Sequence, residues 1–264
     1  HRLTLTPAEM TGIMSAIDEA NGEMTGIPPA RRSSMRQALK VMTAIINVLD
    51  PSGIVFSSYG VREGILYHEL SNDIRRIHPL PPGVAEFAQK TQRYDGLGKS
   101  LSHQVMPFLG GLSESKKRLA NACCYLADLT WLDHPDYRAS LAIEKMLGLS
   151  IVGIDHYERA WMAAVLSVRY SGEFPGQSLL RGLLTRQERE EARLVGLVMR
   201  MLMSVSGGMP KLLDQITTKE KKKSVKITIP PALFGTETGL INRRITTIEK
   251  IGNLKVKVKL NAAD

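Results

Sequence analysis

Cysteine occurs only twice in this 264-residue chain, as the adjacent pair Cys123 and Cys124 within a helical apolar pattern. A vicinal disulfide would be strained there and a zinc site would lack partners, so both are read as buried free thiols, which excludes a secreted, disulfide-stapled chain. Long hydrophobic runs are also missing: no stretch approaches the roughly 18 apolar residues that span a bilayer. The first twenty residues alternate polar and apolar rather than forming a signal peptide, so a cytoplasmic protein without a membrane partner is expected. Aromatic residues are only 5%, and many Leu, Met and Ala point to helices. A phosphate-cradling glycine loop is absent as well. The doublets Gly110-Gly111 and Gly207-Gly208 lack a strand-to-helix setting and read as helix terminators.

What is present is 43% hydrophobic residues, enough for one large core or two ordinary ones, and a net charge of +9 that is unevenly placed. Residues 211–264 hold twelve Lys and Arg against five Asp and Glu. The basic character therefore belongs to the C-terminal segment, and it suggests a polyanionic partner.

Three regions emerge along the chain. Residues 1–6 alternate like a strand, and Thr6-Pro7-Ala8-Glu9 is a capping box for a helix to about Ala20. A second helix from about Ser33 to Leu49 is stopped by Asp50-Pro51-Ser52-Gly53; a strand at 54–57 and a helix from Val61 to about Leu70 follow. Ile54, Val55 and Phe56 are apolar on both faces and need covering strands. His78-Pro79-Leu80-Pro81-Pro82-Gly83 reads as a stiff linker that forbids helix and sheet alike. Helices are expected at about 84–95, 98–109, 113–129, 135–147, 156–171 and 185–205 around one core. Beyond Ser206-Gly207-Gly208-Met209-Pro210, alternation at Val225, Ile227 and Ile229 and at Leu254, Val256, Val258 and Leu260 gives two half-exposed strands, with helical segments between them.

The run Gly53-Ile54-Val55-Phe56-Ser57-Ser58-Tyr59-Gly60-Val61-Arg62-Glu63-Gly64-Ile65-Leu66-Tyr67, preceded by Gly26-Ile27-Pro28-Pro29-Ala30-Arg31-Arg32 and the helix from Met35 to Leu49, resembles the end of the actin-like core in the Ppx/GppA phosphatases. That family comprises exopolyphosphatases and guanosine pentaphosphate phosphohydrolases. Cys123 to Trp131, followed by His134-Pro135-Asp136-Tyr137-Arg138, resembles the HD-like helical domain that follows the core, in the variant typical of alphaproteobacterial members. The resemblance implies a mainly α chain in three parts: the tail of an actin-like (ribonuclease H-like) α/β domain at 1–77, a degenerate HD-like helical domain at 84–208 and a small basic α+β subdomain at 209–264. It implies the C-terminal portion of an enzyme that releases terminal orthophosphate from inorganic polyphosphate, with guanosine pentaphosphate hydrolysis as a second activity. Magnesium would serve the parent enzyme and none would be bound by this region. Partners would be inorganic polyphosphate, a second copy in a homodimer and the N-terminal actin-like half of the parent.

No catalytic residue is assigned, because the family's glycine-rich phosphate loops and water-positioning glutamate do not appear in this sequence. The position of the metal-binding His-Asp doublet reads Ala127-Asp128, and alanine cannot ligate, so no metal site is assigned either. His134 reads as a residue bonded to backbone near Pro135. Asp155-His156-Tyr157-Glu158 reads as a capping pattern, and neither His103 nor His156 is read as a ligand. Arg62, just after a strand end, either faces the interdomain cleft where phosphates sit or joins Glu63 in an ion-pairing role that locks its helix. Lys221, Lys222, Lys223 and Lys226, with the neighbouring lysines of the two strands, either form a solvated face that guards an edge or a track for a long polyanion. Nucleic-acid binding by stacking would want aromatics beside them, and only Phe234 is near. A non-enzymatic polyanion-binding or dimerisation module is the alternative reading.

Overall fold

The structure, a computed structural model, describes residues 3–20, 27–176, 178–222, 224–234 and 238–260. The chain is mostly helical, with one two-stranded and one three-stranded sheet among the described residues, and it divides into two compact units, His1–Asn72 and Asp73–Asp264.

In the first unit, β1 (Leu3–Leu5) leads through Thr6 into α1 (Pro7–Glu19). The capping box forms as the sequence predicts: the Glu9 N–H donates to Thr6 Oγ1 at 3.2 Å and the Thr6 N–H to Glu9 Oε2 at 2.8 Å. Next come α2 (Pro29–Leu49), β2 (Ile54–Phe56) and α3 (Val61–Glu69). Asp50 ends α2 in the left-handed region with φ 41° and returns its N–H to the Ile46 carbonyl. β1 pairs antiparallel with β2, Leu3 opposite Phe56 and Leu5 opposite Ile54. Met10 and Met14 of α1 are buried, yet no residue of α2 or α3 is fully buried: Met35, Leu39, Met42 and Ile46 are half-buried, and Val41, Val48, Val55, Val61, Ile65 and Leu66 are exposed.

The second unit follows the short helix α4 (Asn72–Arg76) with α5 (Leu80–Thr91), α6 (Leu97–Val105), α7 (Glu114–Tyr125), α8 (Arg138–Gly148), α9 (His156–Ser171), α10 (Ser178–Leu183), α11 (Arg186–Ser206) and α12 (Pro210–Leu213). Then come β3 (Thr217–Lys221), β4 (Ser224–Ile229), α13 (Pro231–Phe234), α14 (Thr238–Gly252) and β5 (Lys255–Leu260). The core centres on α9, whose residues Ala160 to Val168 are all buried, packed between α8 and α11. Both capping patterns hold α9 and α11 in place, Glu158 closing on Asp155 and Glu188 on Thr185, and Gly207 stops α11 with φ 60°. Cys123 and Cys124 are free thiols within this core, and burial pushes both well above the usual thiol range.

Three expectations are corrected. The Pro-rich segment is not a linker without structure: Leu80, Pro81, Pro82 and Gly83 open α5, where the missing proline N–H groups would have had no intrahelical acceptor. α7 stops at Tyr125 rather than near 129. The Tyr170 hydroxyl donates to the Ala127 carbonyl at 2.9 Å and accepts from the Thr130 N–H at 3.2 Å, so contacts from α9 replace the helical ladder with successive turns. The basic run at 219–221 is part of a third strand, β3, which a charge-dense segment does not announce by alternation.

Gly196 is where α11 meets α9. A Cβ there would lie 2.6 Å from Val168 Cβ and 2.7 Å from the Val165 carbonyl oxygen, a contact that backbone cannot yield easily. Helix propensity alone would make Gly196→Ala stabilising by up to about 1 kcal/mol. Overpacking is expected to win, with a net loss of about 1–3 kcal/mol measured by denaturant unfolding. His78 supplies a second prediction. Its Nδ1 accepts the Leu80 N–H at 3.3 Å at the start of α5, and burial, then the charge of Arg118, lowers its affinity for a proton, with Glu158 opposing. The unfolded imidazole therefore protonates first as pH falls below about 6.5. Stability from this cap is present above that pH and is lost as pH falls through the lower folded value. His78→Asn should flatten the stability profile on the acidic side, read by unfolding midpoints across the pH range.

Candidate polyanion-binding face

Burial on one side of the C-terminal sheet determines what stands on the other. Strand order is β3-β4-β5, with β3 antiparallel and β5 parallel to β4. Val225, Ile227 and Ile229 of β4 and Val256 of β5 are buried, with Ile241, Ile245 and Ile248 of α14 in the same core as α11. On the inner face of β3, the buried Thr218 hydroxyl lies 3.0 Å from Gln104 Oε1 and 3.1 Å from the Gln104 carbonyl, tying the strand to α6. Glu249 of α14 accepts the Val256 N–H at 2.8 Å, holding β5 in place.

Alternation then sends the other residues outward, and the register aligns them in three rows. Lys221 stands opposite Ser224, which stands opposite Lys255. Lys219, Lys226 and Lys257 form the middle row, and Thr217, Thr228 and Lys259 the third. Six of the nine positions are lysine and the others are small hydroxyl residues; none is acidic, aromatic or arginine. Lys226 sits half-buried at the centre, and the other five lysines are exposed. No ion pair engages any of the six among the described residues. Cross-strand neighbours about 5 Å apart repel, each like-charge pair costing on the order of 0.5–1 kcal/mol in water. An unliganded sheet gains nothing from that repulsion, whereas an anion laid across the rows relieves it.

Lys221 and Lys226 are thus brought together. Lys222 is exposed in the turn after β3, and Lys223 lies outside the described residues. Arg62 belongs to the first unit, exposed at the start of α3. An ion pair locking this helix to its neighbour is not formed by Arg62 among the described residues, and the Glu63 carboxylate accepts the Gly60 N–H at 2.7 Å and caps the helix. Lys219, Lys255, Lys257 and Lys259 complete the face. The alternation of Lys255, Lys257 and Lys259 was visible in the sequence and that of Lys219 was not, and only the pairing register puts all four in line with Lys226.

At the doublet position, Asp128 is buried and bound by arginine. Arg93 Nε lies 3.0 Å from Oδ2 and Nη2 2.9 Å from Oδ1, the Arg93 N–H adds a third bond at 3.3 Å, and Arg169 Nη2 lies 3.6 Å from Oδ1. Hydrogen bonding to Asp128 raises the proton affinity of Arg93, whereas burial lowers that of Arg169, whose guanidinium lies 4.0 Å from the centre of the Tyr170 ring. Both carboxylate oxygens are therefore engaged in charge-assisted bonds. Among the described residues no three His, Cys, Asp or Glu side chains gather as a metal site. His134 Nδ1 accepts the Asp136 N–H at 3.4 Å, in line with the reading of it as a backbone-bonded residue. No helix among the described residues is long and apolar enough to cross a membrane.

Comparison with curated proteins gives no match. A family model described as "Exopolyphosphatase, C-terminal" matches residues 92–258, which run from the end of α5 through the core helices into β5 and take in the Asp128 cluster and every lysine of the face but Lys259. Spanning well over half of the sequence, that match places this chain in the exopolyphosphatase C-terminal family.

Proposed function

We propose that this chain is the C-terminal region of an exopolyphosphatase and that its work is to hold inorganic polyphosphate on the outer face of the β3-β4-β5 sheet. The observation that carries this reading is the alignment of Lys219, Lys226 and Lys257 across three strands, flanked by Lys221, Lys255 and Lys259, with no carboxylate among the nine positions. Lysines suit a flexible phosphate chain because each is a mobile point charge that does not demand a fixed bidentate geometry. The same face lacks a planar side chain on which a base could stack, which disfavours single-stranded nucleic acid. In this reading the first unit is the tail of an actin-like domain, the helices from α5 to α11 are a degenerate HD-like domain, and phosphoryl chemistry belongs to the N-terminal half of the parent, with magnesium there. That chemistry depends on fixed N–H donors, a cation and an oriented water. A preference between polyphosphate and guanosine pentaphosphate would be set in that half.

A second role rests on a separate observation, the absence of any buried residue on α2 or α3. We propose that these apolar faces are covered by protein, either a second copy in a homodimer or the actin-like half of the parent. A non-enzymatic polyanion-binding or dimerisation module is the alternative, and it uses the same two surfaces.

Long-chain polyphosphate is expected to bind the 264-residue chain tightly at low salt, with no phosphate released. If all six lysines engage, log affinity should fall against log salt with a slope of about −4. The K219Q/K226Q/K257Q variant should weaken binding at least tenfold and flatten that slope, whereas absent binding at low salt would defeat the reading. Light scattering checks the second role: a dimer of the wild-type chain that reverts to monomer in V48E/I65E supports it, and a monomeric wild type removes the homodimer.

A further inference from the structure

At one end the lysine rows pass into the turn that carries the exposed Lys222, and behind that end the charge changes sign. Lys221 and Ser224, the β3 and β4 members of the first row, also line a cavity of about 480 Å3 whose wall carries Glu190, Glu191 and Glu220. Glu190 and Glu191 come from the first turns of α11, and Glu220 comes from the inner side of β3, where its carboxylate lies against Gly110. Three carboxylates thus face one ammonium group within the cavity. Exposed Arg186 offsets Glu190 in part, its Nε lying 3.4 Å from the carboxylate, and Glu191 accepts a hydrogen bond from Gln187 Nε2 at 3.0 Å. Those contacts are local to α11 and leave the net sign of the wall negative. Passing from Lys226 across the first row into this cavity, a phosphate chain moves from a field of six ammonium groups to one of repelling carboxylates, and charges within the roughly 8 Å screening length of physiological salt act on it.

Resting on the reading that the lysine face holds a polyanion, we propose that Glu190, Glu191 and Glu220 form an electrostatic boundary that confines the bound chain to the lysine rows and turns it away at the Lys221 end. The polyanion is then favoured to continue over β5 toward Lys259, because that strand carries a lysine in every row and no carboxylate beside it on the outer face. These glutamates are positioning residues and bind nothing themselves. A carboxylate and a phosphate charge about 8 Å apart in water repel enough to change an equilibrium roughly twofold, so three together set a several-fold bias against chains that overrun the first row.

The test compares two lengths of polyphosphate on the intact chain at low salt. A chain of about five phosphates fits within the lysine rows, whose longest diagonal is roughly 16 Å from strand geometry, and does not need to reach the cavity. A chain of about a hundred phosphates samples every register, including those that overrun the first row. E190Q/E191Q/E220Q is expected to tighten binding of the long chain about fivefold and to leave the short chain within about twofold. E190Q/E191Q, which keeps the Glu220 contact with Gly110, should move the long chain in the same direction by about threefold, so a folding defect in the triple variant does not mask the outcome. Unchanged affinity for the long chain, or an equal rise for both lengths, would overturn the boundary. Undiminished binding by K219Q/K226Q/K257Q would instead overturn the underlying reading of the lysine face.

Discussion

Burying Val225, Ile227, Ile229 and Val256 against α14 and α11 is the constraint from which the rest of the C-terminal sheet follows. Side chains alternate with a period of two, so a slip of one residue would bring Lys226 inside and expose the isoleucines. Each buried Val or Ile side chain contributes on the order of 1.5–3 kcal/mol, which exceeds the repulsion between neighbouring lysines that the same register creates. The lysine rows are therefore held in register by the apolar face behind them, not by any interaction among themselves. The register fixes where each lysine stem begins, while the ammonium groups at the ends of the exposed side chains stay mobile.

The helical half shows the complementary use of charge. Asp128 is buried at the centre of the unit, and a lone carboxylate there would carry a heavy desolvation penalty. Arg93 meets it with a two-pronged bond plus a backbone N–H, and Arg169 approaches from α9. The result links the end of α5, the turns after α7 and the C-terminal part of α9. Trp131 Nε1 reinforces the junction by donating to the Thr91 carbonyl at 3.0 Å. A polar cluster that joins three elements and has both carboxylate oxygens occupied is well suited to fixing packing.

Much of this was legible in the sequence because the signals are local. Thr6 with Glu9 and Asp155 with Glu158 announce helix starts through side chains three residues apart, and both boxes form. The apolar spacing of α9 and α11 reads directly as core, and the strand-helix-helix-strand-helix order of the first unit matches. The misreadings all arise where distant residues decide. Nothing within Leu126 to Trp131 says that Tyr170 will take over its backbone bonds. Lys219 to Lys221 become a strand only because β4 offers a partner, and their place in the candidate site depends on a register set by residues on the opposite face. The prolines after His78 were legible as punctuation, but their position in the first turn of a helix depends on Leu80 and Val84 finding the core.

The two units divide apolar surface in opposite ways, and that contrast bears on what each is for. In the second unit nearly every large aliphatic side chain of α9 and α11 is buried, so its stability is internal and its sheet is free to present charge. In the first unit the 21-residue α2 buries no residue fully, only the stripe Met35, Leu39, Met42 and Ile46 being half-buried, and Val55 of β2 is 59% exposed. A strand apolar on both faces, paired on one edge to a three-residue partner, retains an open edge and two uncovered faces. Exposed apolar surface on that scale is characteristic of a protein-contact surface, the role that the proposed function gives this unit. The proposed function uses this division, a polyanion for the sheet, whose register does not depend on the ligand, and protein for the helices, whose apolar surface is exposed.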